Sequence, residues 1–409
     1  MDQVFKAMKS VFLPSQRQVA PFEFLQSDCF DLVKLKNVVF IDNRFPNCFD
    51  QVLHYFASGF LKSSNTCLIF QYYPANFTEI RKVCDSRGIN WCCFAERRFI
   101  PKLVDKLILY PFNSASNAYI VANRTCYHAL LMHGESNKVA CIKPLARLYD
   151  YLLVAGDIAC ERLVEYGILS LDDIQRGRVI KLGDTVMGDF GQIRLQNIET
   201  GDPVLGYFPT WEGGNEEENL CSLKEIYPVL LEALSLLESK HVVMHFHPHT
   251  AERDFDYKNY VYGLIHKLLE QNIKVSYQVI NKPTKFEISL KSSFSKVEWR
   301  ENSDPLLISA ALVDVSALEA VLDAKLIPNV VYIPTDKIIA APELYWNKKP
   351  KQQILGLNSG LAGAAFNMNV KTAKIYRDSL IGHAEPALKT MVHAEKLDWL
   401  NEYVRRTKF

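Results

Sequence analysis

Two histidine-led turns stand out, one in each half of the 409-residue chain. In the second, His241-Val242-Val243-Met244-His245-Phe246-His247-Pro248-His249, a β-branched run feeds a His-Pro pair where a strand should stop. Pro lacks a backbone donor and forces the residue before it into extended geometry, which puts His247 at the carboxyl end of a strand. Ligands of open α/β sheets bind at that edge. The first turn, Leu130-Leu131-Met132-His133-Gly134-Glu135-Ser136-Asn137-Lys138, repeats the design. An imidazole at a strand end is a natural general base, because its pKa lies near neutrality. Gly134 lets backbone approach a ligand, and Ser136 and Lys138 offer polar contacts to an acceptor or a phosphate. By itself His133 reads equally well as a strand-end histidine satisfied by hydrogen bonds. Two such turns in separate halves point to a cleft between two sheets.

His245, His247 and His249 alternate, so a strand would put them on one face, as in a zinc site. Pro248 interrupts that strand, and no acidic or cysteine ligand is evident, so no metal is expected. His247 reads better as a donor to a phosphate or a departing nucleotide, with His245 and Pro248 beside it. Asp314-Val315-Ser316-Ala317-Leu318-Glu319 reads as strand, turn and helix. The helix N-terminus and the Ser316 hydroxyl would cradle an anion without metal, and Glu319 could accept from ribose hydroxyls. An ordinary N-cap is the plainer reading of the same residues. Pro209-Thr210-Trp211-Glu212 closes another strand, where the Thr210 hydroxyl could face the cleft and Trp211 could stack or simply pack.

These residues need elements to hold them. The first half alternates strands and helices. Strands are expected at 37–42, 66–70, 89–94, 107–110, 118–122, 129–133, 151–156 and 178–183. Helices are expected at 49–60, 76–86 and 157–166, the last with Asp157 as N-cap and Gly167 as its stop. The pattern loosens between 183 and 203, where the domain boundary is placed. Beyond it, strands are expected at 204–208, 241–247, 273–278, 311–316 and 329–333, with helices at 222–240, 257–271 and 317–324. Residues 282–300 read as a small strand pair, 303–309 as the start of a capped helix, and 385–405 as an amphipathic helix. The units are therefore 1–185, acceptor side; 186–384, nucleotide-donor side; and 385–409, a terminal helix able to cross back. Strands separated by helices imply parallel sheets covered on both faces. The whole resembles the two-Rossmann glycosyltransferase architecture called GT-B.

Composition narrows the classes. Lys+Arg number 47 and Asp+Glu 46, so nothing global suggests nucleic acid, and any anion site must be local. Ten cysteines are scattered without ligand spacing, as in a reduced cytosolic protein. No apolar run approaches the ~20 residues of a transmembrane helix, and no signal-peptide pattern opens the chain. The apolar segment Met1 to Leu13, with Lys6 and Lys9, could lie on the inner face of a membrane, although a packing arm is the simpler reading.

A family resemblance runs through these motifs. His133-Gly134 with Lys138, Tyr149-Asp150-Tyr151, Gly183 before Asp189, Pro209-Thr210-Trp211, His247-Pro248 and Asp314-Val315-Ser316 follow the order of the CDP-glycerol glycerophosphotransferase family. Those enzymes build teichoic-acid and capsule polymers from glycerol or ribitol phosphate. The family marks HGTPLK, YPTWR, RxHP and TDYSS are similar to HGESNK, FPTWE, HFHP and VDVSA here, over roughly residues 125 to 335. Ser136-Asn137 replaces Pro-Leu, His245 replaces an arginine, and Ala317 replaces the second serine. The resemblance implies metal-independent transfer without a cofactor, from a CDP-activated polyol to a glycan or polyol-phosphate acceptor. In it His133 is the base, His247 the stabiliser of the leaving nucleotide, Ser316 and the backbone after Asp314 the phosphate holders, and Glu319 the ribose contact. The departures weaken a diphosphate clamp. They leave open a CMP-sugar donor (sialic acid or Kdo) or a UDP-sugar donor for capsule or lipopolysaccharide, a non-catalytic scaffold of a capsule-assembly complex, and an epimerase acting on a nucleotide sugar.

Overall fold

The computed structural model describes residues 21–27, 30–43, 48–188, 193–196, 201–216, 218–279, 283–301, 305–334, 354–355 and 370–407. The segment Met1 to Leu13, Asp189, Ser303, Asp304 and the glycine-bearing stretch after Pro334 lie outside the described residues.

Eight strands form the first sheet: β1 (Phe24–Gln26), β2 (Asn37–Ile41), β3 (Thr66–Gln71), β4 (Asn90–Phe94), β5 (Leu107–Tyr110), β6 (Tyr127–Leu130), β7 (Tyr151–Val154) and β8 (Val179–Lys181). Their order is β1-β4-β3-β2-β5-β6-β7-β8. Only β1 runs antiparallel, pairing with β4 at the edge, while the other neighbours are parallel. Helices α1 (Asp50–Ala57), α2 (Pro74–Arg87), α3 (Ala118–Val121), α4 (Asp157–Glu165) and α5 (Leu171–Gln175) connect them.

After the short strand β9 (Ile193–Leu195) the second sheet begins, with β10 (Leu205–Phe208), β11 (His241–Met244), β12 (Lys274–Gln278) and β13 (Glu298–Arg300). The strand β14 (Leu306–Ile308) pairs with β9. Then β15 (Ala310–Asp314), β16 (Asn329–Tyr332) and β17 (Ile354–Leu355) complete a seven-stranded parallel sheet in the order β13-β12-β11-β10-β15-β16-β17. Its helices are α6 (Tyr227–Leu236), α7 (Asp256–Glu270), α8 (Lys285–Ser293) and α9 (Ala317–Ala324). Two more follow, α10 (Val370–Leu380) and α11 (His393–Thr407).

This is the paired Rossmann-like arrangement expected from the sequence. Burial on both faces suits near-continuous apolar strands such as Asn37–Ile41, every residue of which is buried. Helix α11 crosses back. Its Leu397, Leu400 and Val404 are buried in the first lobe's core, Asn401 Nδ2 donates to Asn37 Oδ1 (2.9 Å), and Tyr151 donates to Val404 O (3.1 Å).

Among their parallel strands, the two large sheets each reverse strand order once, between β2 and β5 in the first and between β10 and β15 in the second. Such a reversal opens a crevice at the carboxyl ends of the flanking strands.

Several local expectations are corrected. Residues 118–121 form helix α3 instead of a strand, after a turn in which the Ser114 side chain accepts from Ser116 N. Residues 285–293 are helical because Thr284 and Glu287 make a reciprocal capping box. Residues 306–308 are a strand, since β9 offers them a partner. Gly156, not Asp157, is the N-cap of α4. Tyr149, Asp150 and Tyr151 serve the framework: Tyr149 meets Asn117, Asp150 accepts from His128 N, and Tyr151 holds α11.

Candidate active site

Thr210 follows β10 and Asp314 ends β15, the two strands flanking the reversal in the second sheet. Asp314 is fully buried, and its Oδ2 accepts from the backbone N–H of Thr210 (2.8 Å) and of Ser222 (3.0 Å). Among the described residues its Oδ1 has no hydrogen-bond partner. Burial pushes the Asp314 pKa up to about 7, against the pull of those bonds and of the Lys138 charge. Ser316 occupies the N-cap position of α9 in extended geometry (φ −157°, ψ 173°), yet its side chain makes no capping bond. The hydroxyl is buried and has no partner among the described residues. An unmet buried hydroxyl at a helix N-terminus is costly alone and well suited to an anionic ligand.

Lys138 reaches this crevice from the first lobe, where Nζ donates to Thr210 Oγ1 (2.5 Å). Its own backbone N–H is held by Ser136 Oγ (3.2 Å). Burial lowers the Lys138 pKa, and Asp314 is the leading opposing charge.

His133 stands three residues beyond β6, not at the strand end itself. Met132 (φ +61°) and Gly134 (φ +139°) bracket it in a tight turn, and Tyr55 donates to Met132 O (3.1 Å). A side chain at Gly134 would put its Cβ 3.2 Å from Ala317 Cβ and 3.3 Å from Met187 O, so glycine lets this turn lie against α9. His133 Nδ1 lies 2.8 Å from Pro111 O. A carbonyl oxygen only accepts, so Nδ1 carries the proton and Nε2 keeps its lone pair. The imidazole is open to solvent but walled by protein, with Phe112 at 5.0 Å. That surrounding mass lowers its pKa, opposed by the bond to Pro111.

His247 has the opposite tautomer. It lies past β11 in the loop before α7, and its Nδ1 accepts from His249 N (3.2 Å), which leaves the proton on Nε2. Trp211 stacks on the ring at 5.8 Å and 16°. Burial holds the His247 pKa well below its ordinary value, and positive charge on Lys138, His249, His245 or His133 acts in the same direction. His133 and Lys138 therefore lie within electrostatic reach of His247 across the lobe boundary. The cleft brings together one imidazole offering a lone pair, one offering an N–H, a lysine, and an unmet hydroxyl beside a buried carboxyl.

Other residues sit differently. His245 Nδ1 is bonded to Gln278 O (2.9 Å), which ties that ring to β12. His249 pairs with Glu252 (2.6 Å), and Pro248 separates it from His247. Among the described residues no group of three or more His, Cys, Asp or Glu is arranged to hold a metal. Glu319 is buried at the lobe junction, where Asn137 Nδ2 donates to its Oε1 (3.4 Å). Arg162 donates to Asn137 Oδ1 (2.9 Å) and pairs with Glu135. This junction was not visible in the sequence, because nothing near Arg162 marks its partners. Glu212, also missed, adjoins Trp211 in a motif already singled out, and that adjacency was the available signal.

No family model matches the chain, and no curated protein does. Among solved structures it is similar to Anabaena Alr3699/HepE in complex with UDP, at 10% identity over 91% of this chain and 99% of that one, TM-score 0.48. It is similar to the lipopolysaccharide outer core galactosyltransferase WaaB at 9% identity, 90% and 99% coverage and TM-score 0.45. A UDP-N-acetylglucosamine 2-epimerase from Rickettsia bellii gives 12%, 91% and 96%, and 0.41. At such values the architecture rests on the chain's own strand order.

Proposed function

We propose that the chain is a nucleotide-dependent transferase that moves an activated group onto an acceptor hydroxyl without metal or cofactor. The opposite tautomers of His133 and His247 are the observation that carries this reading. The acceptor oxygen attacks the donor while His133 Nε2 takes its proton. The bond from the transferred group to the nucleotide's phosphate oxygen breaks, and that oxygen accepts from His247 Nε2–H. Lys138, Ser316 and the α9 N-terminus hold the phosphate, with Thr210 and Asp314 shaping the crevice.

Glycerol or ribitol phosphate from a CDP-donor is the leading cargo, because the motif order resembles that family. A sugar from a CMP- or UDP-donor, for a capsule or lipopolysaccharide glycan, is the second reading. The bond from His245 to Gln278 favours it, since this ring replaces the family's arginine and adds no permanent cation. The reaction would run in the cytoplasm at the inner membrane face. No helix among the described residues is long and apolar enough to cross a membrane.

Incubation with CDP-glycerol, CDP-ribitol, CMP-sialic acid, CMP-Kdo and UDP-sugars separately, following nucleotide release with polyol-phosphate and glycan acceptors, separates these readings. Release without any acceptor and with an epimerised sugar would mark an epimerase. No turnover of any donor ends the transferase reading in favour of a scaffold.

A further inference from the structure

The loop that carries His247 has little regular structure between β11 and α7, so its shape must be imposed from outside. Glu212, next to Trp211, is fully buried. Its Oε2 accepts from Ala251 N (3.2 Å), and its Oε1 accepts from Arg253 N (3.0 Å) and Asp254 N (3.2 Å). The Arg253 side chain returns to Glu212 O (2.7 Å) and to Glu216 (3.0 Å). Ala251 has φ +66°, and a left-handed residue turns neighbouring N–H groups toward a common point, as in an anion nest. Glu212 fills that nest. Within the loop, Thr250 N donates to His247 O (2.9 Å) and Glu252 N to His249 O (3.1 Å), while His249 N reaches His247 Nδ1. Two adjacent residues therefore grip the loop: Trp211 by covering the ring, Glu212 by gathering the amides.

We propose that Glu212 is a positioning residue for His247. By fixing the turn at 251–254 it holds the His249 N–H on His247 Nδ1 and so keeps the proton on Nε2, where the departing nucleotide needs it. The purpose of this arrangement rests on the transferase reading; the arrangement itself can be tested without any donor.

The test is nitrogen NMR of the full chain labelled with 15N-histidine, at a pH where both imidazoles are neutral. His247→Gln assigns the signals by their loss. Wild type should show His247 with a bare Nδ1 and a protonated Nε2. Glu212→Gln puts an NH2 group against an amide that needs an acceptor. It should give His247 mixed tautomers and slow nucleotide release about ten-fold, less than the hundred-fold or more of losing a charge-stabilising donor outright. The His133 tautomer should not change. Glu212→Asp keeps the charge but withdraws the oxygens by one methylene, and should fall between; if the Gln variant does not fold, the Asp variant decides by the same readings. Glu252→Gln, on the exposed side of the loop, should leave the His247 nitrogens as in wild type. The proposal is overturned if Glu212 variants fold and leave the His247 shifts unchanged, whether or not turnover drops. Absence of nucleotide release in wild type would instead end the transferase reading and leave the nitrogen result standing.

Discussion

His133→Asn separates the two jobs of one ring. The asparagine amide can stand where Nδ1 stands and keep donating to Pro111 O, a bond of 2.8 Å in the native chain. Nothing then occupies the place of Nε2, so the structural bond survives and the base is gone. A positioned base contributes about two to four orders of magnitude. At about 1.4 kcal/mol per decade, kcat should reflect a barrier higher by roughly 3–5 kcal/mol. Stability should change by less than about 1 kcal/mol, the net value of a hydrogen bond, because that bond is retained. The pH profile sharpens the test. Crowding holds the His133 pKa below its usual value, so the wild-type enzyme should lose activity only as pH falls below the ordinary histidine range. The sign is that of a base lost on protonation. The assay is nucleotide release from pH 5 to 9 with whichever donor is turned over, beside thermal melts. A variant that stays within ten-fold of wild-type kcat, or keeps the acid limb, refutes the assignment.

His247 should show the mirror image: Gln, which keeps an N–H near Nε2, should lose at most about ten-fold in kcat, and Asn about two to three orders, measured in the same assay. Lys138→Met should raise the donor KM by ten-fold or more while leaving the melting temperature near wild type, because the lost bond to Thr210 joins the lobes and not a core. The buried Asp314 has a pKa raised from 3.8 to about 7, so the native state binds more protons than the unfolded chain between those limits and stability falls as pH rises through them. Asp314→Asn should flatten that slope, which carries at most about 4 kcal/mol, in urea titrations from pH 4 to 8. Gly134→Ala should destabilise by about 1–3 kcal/mol, since φ +139° disfavours any side chain and Ala317 leaves little room; calorimetry checks it.

Much of the fold was legible because parallel strands buried on both faces leave an unmistakable mark, as in Val38-Val39-Phe40-Ile41 and Leu312-Val313. The short apolar run at 118–121 misled because four residues carry too little periodicity to tell a helix turn from a strand. The helix at 285–293 had a readable signal in Thr284 and Glu287, three apart, whereas the β14 strand depends on β9, over a hundred residues away in sequence. Around the cleft, the sequence singled out Thr210 and Asp314, beside the ends of neighbouring strands, and His133 and His247, which lie in the loops after β6 and β11, because topology delivers those positions together. It could not supply the tautomers, which depend on Pro111 O and on the His249 amide. Nor could it show that Asn137 and Glu319, 182 residues apart, meet at the lobe junction.

The grip of α11 on the first lobe bears on how the molecule is made. Asn37 lies in a strand that leaves the ribosome long before α11, and its side-chain oxygen finds Asn401 only 364 residues later. The opening lobe must therefore wait, its core partly uncovered, while the whole second lobe is synthesised and folds. Nascent chains stalled before α11 emerges should be the form most in need of chaperone shelter.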